Sequence, residues 1–159
     1  MDAADDHRVI VPVVVTMANL STDDDVMTFD ARACKHLQEV LSEAVQSQHR
    51  DGSHHHQGWH AQELATCLGK LASNPTNLKH LLAQHAPLLE SLMGMLGFDE
   101  SHQETALNTM WSLASTESLE AFAILPKFDE TLTSLTKSDT ESVRQAAVRL
   151  KTKIGELGE

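Results

Sequence analysis

The sequence predicts an all-α protein whose helices form a right-handed α-solenoid of about three repeats, preceded by a partial repeat. Aromatic residues make up 4% of the 159-residue chain and Tyr is absent, which is poor material for β-sheets, whereas residues with high helix propensity dominate. Apolar side chains recur at helical spacing in several segments, and similar short strings recur about every 40 residues. These three observations favour tandem helical units over a sandwich or a barrel.

Three similar strings, at residues 18–21, 70–73 and 112–115, mark the repeat. Leu71 and Leu113 are 42 residues apart, and Ile154 lies 41 residues beyond Leu113. Leu20 and Leu71 are 51 residues apart, and a polar, His-rich segment at 48–57 accounts for the surplus. A period of about 40 residues fits three helices per unit, whereas the TPR and ankyrin periods of about 34 and 33 residues are too short.

The recurrence predicts one domain at residues 8–157, preceded by a disordered acidic segment at residues 1–7. A chain of this length is large enough to bury a hydrophobic core. The domain divides into a partial unit at 8–21 and full units at 22–73, 74–115 and 116–157, the first of which carries the His-rich insertion at 48–57.

Each unit is predicted to end in a long third helix with one apolar stripe, because its apolar residues follow a 3.6-residue period. The two clearest stripes consist of Ala61, Leu64, Cys67, Leu68 and Leu71, and of Val143, Ala146, Ala147, Leu150 and Ile154. Ser101-x-x-Glu104 and Ser138-x-x-Glu141 have capping-box spacing and are predicted to begin two third helices. Thr22-x-x-Asp25 is predicted to begin an earlier, short helix.

Shorter helices are predicted to precede the third helix of the last two units. Pro87 and Pro126 are 39 residues apart, and each is predicted to begin a second helix, because the first helical position tolerates a residue without an N–H. The apolar residues at 78–82 and 119–123 each indicate a short first helix before these prolines.

The segment from Leu71 to Leu92 resembles the junction between two armadillo repeats. It reads as the end of a third helix, an Asn74-Pro75 turn, a first helix and a second helix led by Pro87. The resemblance covers roughly residues 8–157 and is strongest at 59–115. It implies that the third helices line a concave groove in which an extended peptide lies. A HEAT-like arrangement is the alternative.

The resemblance also implies a set of binding residues. Asn19 matches the asparagine of the family's Asn-Leu-Ser ending, whose amide can pair with a ligand's backbone; the alternative is a helix-end polar group. The other units lack this asparagine, and none has the family's tryptophan four residues earlier, so importin-like binding of basic localisation signals is not expected. The predicted partner-binding groove consists of Asn19, Trp59, Thr66, Lys70, Asn108, Ser112, Arg149 and Lys153.

Two further interpretations concern this groove. If Lys70, Arg149 and Lys153 face it, they favour an acidic or phosphorylated peptide as the partner; the alternative is a solvated, solubilising helix face. Trp111 shares a helix side with Leu107 and Ala114 and is predicted to belong to the core.

The His-rich segment offers weak metal-ligand candidates in His54, His56 and His60. His56 and His60 have i, i+4 spacing, but no Cys or acidic residue completes a recognisable tetrahedral set. A polar surface loop is therefore the preferred interpretation, and no cofactor is expected.

The net charge, the apolar run and the cysteines limit the partners and the compartment that we expect. The net charge of −11 argues against nucleic acid as a partner, and the apolar run at residues 9–15 is too short to span a membrane. Residues 9–18 nevertheless carry more apolar side chains than one stripe can bury, which predicts self-association or a partner helix there. Cys34 and Cys67, far apart in the sequence, indicate a reducing compartment, so we expect a cytoplasmic protein, with the nucleus as the alternative.

The sequence contains no GxGxxG, P-loop, HExxH or GxSxG motif, and we expect no enzymatic activity. The function it favours is that of an interaction module or adaptor that binds a partner segment along the groove. The alternatives are a metal-binding protein that uses the His-rich insertion, and a terminal fragment of a larger adaptor such as a ubiquitin-ligase substrate receptor.

Overall fold

The computed structural model describes residues 3–21, 27–53, 55–56, 58–83 and 85–159. Within these ranges it contains nine α-helices, a single 3₁₀ turn at Thr116–Ser118 and one two-stranded hairpin, which confirms the all-α prediction. The elements, in chain order, are α1 (Ala3–Leu20), α2 (Ala31–Asp51), β1 (His55–His56), β2 (Trp59–His60), α3 (Ala61–Leu71), α4 (Pro75–Ala83), α5 (His85–Met95), α6 (Glu100–Leu113), α7 (Leu119–Ala123), α8 (Phe128–Leu135) and α9 (Glu141–Leu157).

Four helices pack side by side in series: α3 lies between α1 and α6, and α6 lies between α3 and α9. The remaining elements support this row. Helix α2 lies against α1, α3, α4, α5 and the hairpin, α5 also contacts α6, and α8 lies against α9. Among the described helices, none is both long enough and apolar enough to cross a membrane.

The apolar stripes predicted for α3 and α9 form part of the core. All five stripe residues of α3 are buried, as are Val143, Ala146, Ala147 and Leu150 of α9. Ile154 is half-buried against this core, whereas Arg149 is exposed. The predicted face of α9 is thus confirmed.

Helices α3 and α6 approach each other closely. The Thr109 hydroxyl donates a buried hydrogen bond of 2.9 Å to the backbone carbonyl of Ala65. A β-carbon added at Gly69 would lie 3.4 Å from both Cα and Oγ1 of Thr109. Because Gly69 has no side chain, the two backbones can pack at this distance.

Helix α1 corrects one expectation, and self-association or a partner helix at residues 9–18 stays a prediction. It begins at Ala3, so residues 3–7 are helical rather than disordered; no Gly or Pro interrupts this part of the chain. The apolar run at residues 9–18 is mostly internal, since Val11, Val14, Val15 and Ala18 are buried where α2 and α3 cover α1. Val9 and Val13 remain exposed, at 60% and 51%.

Several predicted helix starts are displaced. Asp99, not Ser101, caps α6: its carboxylate accepts a 3.0 Å hydrogen bond from the His102 N–H. Helix α9 follows Thr140, and the Ser138 hydroxyl accepts from the Thr140 N–H instead of forming a capping box with Glu141. Asp99 occupies the residue just before α6, so Ser101, two residues later, cannot cap that helix.

The prolines also lie slightly off the predicted positions. Pro87 is the third residue of α5, still within the first turn, where a missing N–H costs nothing. Pro126 precedes α8 by two residues, and the turn between them contains Lys127 in the left-handed region at φ 59°. The two short helices predicted before these prolines are present as α4 and α7. The predicted start at Thr22-x-x-Asp25 lies outside the described residues.

The unit at 22–73 differs most from its prediction. One 21-residue helix, α2, runs from Ala31 to Asp51, capped by Asp30, whose carboxylate accepts from the Ala33 N–H at 2.8 Å. The helix ends at Gly52, whose φ of 75° suits glycine and whose N–H donates to the Gln48 carbonyl. The first four residues of the supposed loop at 48–57 are therefore helical.

Candidate functional site

Three adjoining depressions follow the row of helices α1, α3, α6 and α9, and together they form what we call the groove. The first, about 430 Å³, is lined by residues of α1, β2 and α3. The second, about 590 Å³, is lined by residues of α3 and α6, among them Thr66, which the first also contains. The third, about 720 Å³, is lined mostly by α9 and shares Trp111 with the second.

All eight residues predicted for the groove line it. Asn19 and Trp59 lie in the first depression with Thr66 at its boundary. The second contains Lys70, Asn108 and Ser112, and the third contains Arg149 and Lys153. The 3.6-residue stripe fixed the buried face of each helix, and the groove residues lie beside that face. That they bind a partner stays a prediction.

Trp111, predicted for the core, is only half-buried and forms the boundary between the second and third depressions. The buried face of α6 is formed by Ala106, Leu107, Met110 and Leu113, and Trp111 stands at its edge. The prediction placed Trp111 with Leu107 and Ala114, both of which are buried, but the indole itself is only partly covered. A sequence signal for the position of Trp111 is its spacing of 42 residues from Lys153, which equals the predicted repeat period.

Two cations of α9 lie over the Trp111 ring. Cζ of Arg149 is 4.3 Å and Nζ of Lys153 is 4.0 Å from the ring centroid, distances typical of cation–π contacts. Lys153 also donates a 2.7 Å hydrogen bond from Nζ to the backbone carbonyl of Trp111. Burial and then the neighbouring Arg149 charge lower the pKa of Lys153, because both disfavour its ammonium form.

The basic residues of the groove form no ion pair with the carboxylates that the structure describes. Within the described part of the chain, neither Arg149, Lys153 nor Lys70 forms a salt bridge. Arg144, also in the third depression, donates from Nη1 to the Ser138 carbonyl at 2.7 Å. Glu156 is the acidic residue in the lining of this depression. The lining therefore carries two more positive than negative charges.

The first depression is different in character. Trp59 packs partly against the core at the end of the hairpin. Beside it, Glu63 accepts a 3.2 Å hydrogen bond from the His60 N–H, which ties the hairpin to the first turn of α3. Asn19 is exposed at the end of α1, with its amide available to the groove. The first depression therefore combines the indole surface of Trp59 with the amide of Asn19 and the carboxylate of Glu63.

The hairpin changes the metal-ligand prediction. His56 lies opposite Trp59, and His60 lies opposite His55, because a turn with Gly58 at φ 82° replaces the helical spacing assumed for His56 and His60. The rings of His55 and His60 meet edge to face with centroids 5.5 Å apart. His54 lies outside the described residues, and within them no three His, Cys, Asp or Glu side chains are grouped for a metal ion.

The cysteines are both free and buried, Cys34 on α2 and Cys67 on α3. Burial raises the pKa of Cys34 to about 11 and that of Cys67 to about 12. A thiol nucleophile must ionise to react, and both thiols stay protonated at neutral pH. Neither cysteine therefore contributes to the groove chemistry.

No protein-family model, no curated protein and no solved structure matches the chain.

Proposed function

We propose that this protein is a non-enzymatic interaction module that holds an extended segment of a partner protein along the groove. The observation that carries the proposal is the continuity of the three depressions across α1, α3, α6 and α9. A continuous, open track across neighbouring helices suits an elongated ligand better than a small substrate, which needs an enclosed pocket.

The architecture behind this proposal is an armadillo-like right-handed α-solenoid. In this interpretation α3, α6 and α9 are the third helices of three units and α1 is that of a partial unit, with α4 and α7 as first helices and α5 and α8 as second helices. The serial packing of α1, α3, α6 and α9 supports it, as do the starts of α3, α6 and α9 at Ala61, Glu100 and Glu141. The buried free cysteines favour a cytoplasmic or nuclear setting for the module.

The groove is long enough for a short peptide. Four packed helices spaced 8–10 Å apart span roughly 24–30 Å, which an extended chain at about 3.3 Å per residue crosses in about eight residues. The amides of Asn19 and Asn108 and the hydroxyls of Thr66 and Ser112 provide donors and acceptors along this path. Such groups can pair with a ligand's backbone and so tolerate different side chains.

Selection of binders from a phage-displayed library of random 12-residue peptides tests the proposal. Selected peptides are labelled and their affinity for the full chain is measured by fluorescence anisotropy. We expect Trp59→Ala and Asn108→Ala to weaken binding about tenfold each, since an interface anchor and a backbone-pairing amide are removed. Lys79→Ala on α4 is the matched control, because Lys79 is exposed and outside the groove.

Circular dichroism must show unchanged helix content in all three variants. Selected peptides whose affinity is the same for the groove variants and for wild type would contradict the proposal, as would a selection that yields no binder. The described histidines give no support to the metal-binding alternative, because they assemble no set of three ligands.

A further inference from the structure

The third depression presents a cationic surface, and within the described ranges neither Arg149 nor Lys153 forms a salt bridge. Arg149 makes its one described contact with the face of the Trp111 ring, which leaves its N–H groups unbonded. Lys153 uses one ammonium N–H on the Trp111 carbonyl and keeps two. Both side chains sit on the same face of α9, one turn apart, above one indole ring.

This arrangement costs free energy in the absence of a ligand. The two cations repel each other, and partial burial of Lys153 already lowers the pKa of its ammonium group. The Trp111 ring offsets part of this cost through cation–π attraction but provides no negative charge. An anion placed between Arg149 and Lys153 would offset their mutual repulsion and favour the ammonium form of Lys153.

We propose that the third depression binds a phosphorylated serine or threonine side chain of the partner segment held in the groove. A guanidinium stacked on an aromatic face directs a planar fork of donors outward, which suits bidentate binding of two phosphate oxygens. Lys153 can take a third oxygen with its remaining N–H groups. A carboxylate has two oxygens and one charge, so it gives the two cations fewer acceptor sites and less negative charge than a phosphate does.

The surroundings fit a side chain rather than a polyanion. Val148 and the methyl groups of Thr136 and Thr152 line the same depression, which gives apolar surface for residues next to the phosphate. The lining carries an excess of two positive charges, whereas the whole chain carries −11. Nucleic acid needs an extended row of cations and is repelled by this overall charge. A single phosphate dianion interacts mainly with the charges nearest to it, because salt screens the more distant ones.

This inference rests on the proposed function, and its test separates the two. Three fluorescein-labelled, degenerate 12-residue peptide pools are prepared, identical except for a central serine, glutamate or phosphoserine. Their affinities for the full chain are measured by anisotropy. We expect the phosphoserine pool to bind about tenfold more tightly than the serine pool, as charge-assisted hydrogen bonds imply, and the glutamate pool to fall between them.

The double variant Arg149→Gln and Lys153→Gln should abolish the preference for phosphoserine, so that the phosphoserine and serine pools bind it with equal affinity. The matched control is Lys79→Gln with Lys137→Gln, which removes two exposed positive charges outside the groove and should keep the preference. Fluorescence gives an independent readout, because the chain has two tryptophans and Trp59→Phe leaves Trp111 alone. Phosphoserine peptides, but not serine peptides, should change its emission.

The outcomes are distinct. Binding of all three pools with equal affinity overturns the phosphate site but leaves the peptide groove standing. Equal affinity of the glutamate and phosphoserine pools shows that a carboxylate suffices and also overturns it. Failure of every pool to bind contradicts both the site and the proposed function. A phosphoserine preference that survives the Arg149 and Lys153 substitutions places the phosphate elsewhere and overturns the assignment.

Discussion

Gly94 on α5 lies so close to Val45 on α2 that a β-carbon added at Gly94 would stand 2.8 Å from Cγ1 of Val45. Ordinary van der Waals contact between carbons begins near 3.5 Å, so the two helices pack at a distance that only glycine permits here. Val45 is itself buried, with little room to move away.

We therefore expect Gly94→Ala to lower the free energy of unfolding by about 1–3 kcal/mol, the usual cost of overpacking. Gly155→Ala on α9 is the control: nothing lies within 4 Å of the added carbon, and alanine should gain up to about 1 kcal/mol of helix propensity. Urea unfolding measures both. The double variant Gly94→Ala, Val45→Ala should lose less than the sum of the single losses. Additive losses would show that the contact does not restrict the packing.

Leu150 is fully buried where α9 meets the rest of the core. Leu150→Ala should cost about 2–5 kcal/mol, because the change removes buried methyl groups and leaves a cavity. Val148 on the same helix is 48% exposed, and Val148→Ala should change stability by less than about 0.5 kcal/mol. Thermal and urea unfolding compare the two variants. Similar effects of the two substitutions would contradict the assignment of Leu150 to the buried face of α9 and of Val148 to the exposed face.

Asn77, fully buried on α4, forms hydrogen bonds with the backbone of residues 27–29, which precede α2. Its Oδ1 accepts from the Phe29 N–H at 2.7 Å, and its Nδ2 donates to the Met27 carbonyl at 2.8 Å. Asn77→Ala should cost about 2 kcal/mol, because both backbone groups lose their partner. Thr76→Ala, one residue earlier and exposed, is the comparison and should be nearly neutral. An Asn77 variant as stable as the Thr76 variant would mean that water replaces the amide without loss.

The two thiols predict how stability changes at alkaline pH. In the unfolded chain they ionise near the ordinary pKa of 9.0, whereas burial holds Cys34 at about 11 and Cys67 at about 12 in the folded chain. Above pH 9 the unfolded state therefore binds fewer protons than the folded state, and stability falls as pH rises.

Urea unfolding at pH 8.0 and 10.0 tests this, with the double variant Cys34→Ala and Cys67→Ala as the control. The double variant starts less stable but should lose less stability between the two pH values than wild type. Equal losses would mean that the thiols ionise alike in both states. At pH 8.0, thiol-specific reagents should label wild type far more slowly than the urea-unfolded chain.

The sequence predicted the buried faces of helices well, because apolar residues recur with the helical period, but it did not predict where the helices begin. The stripes of α3 and α9 followed from a 3.6-residue period, which fixes helix faces without knowledge of neighbours. The positions of groove residues such as Thr66 and Asn108 followed from the armadillo resemblance. Helix ends did not follow, because Asp99 and Ser101 are both good caps and spacing alone does not choose between them.

Features decided by tertiary packing were also missed. The burial of Val11 and Val14 depends on α2 and α3 covering α1 from two sides, which no single-helix pattern reveals. The hairpin pairing of His55 with His60 depends on the turn at Gly58. The position of Trp111 depends on the cations of a helix about 40 residues away in the sequence.

The contacts of α2 also determine how the molecule opens. Because α2 touches α1, α3, α4, α5 and the hairpin, its amides can exchange with deuterium only when most of the N-terminal part separates, so their protection should report global unfolding. Helix α9 rests against α6 and α8, and its separation disturbs far fewer contacts. Arg149 and Lys153 therefore sit on the element that opens at the lower free energy, and a ligand held there would slow exchange across α9 while leaving the rates in α2 almost unchanged.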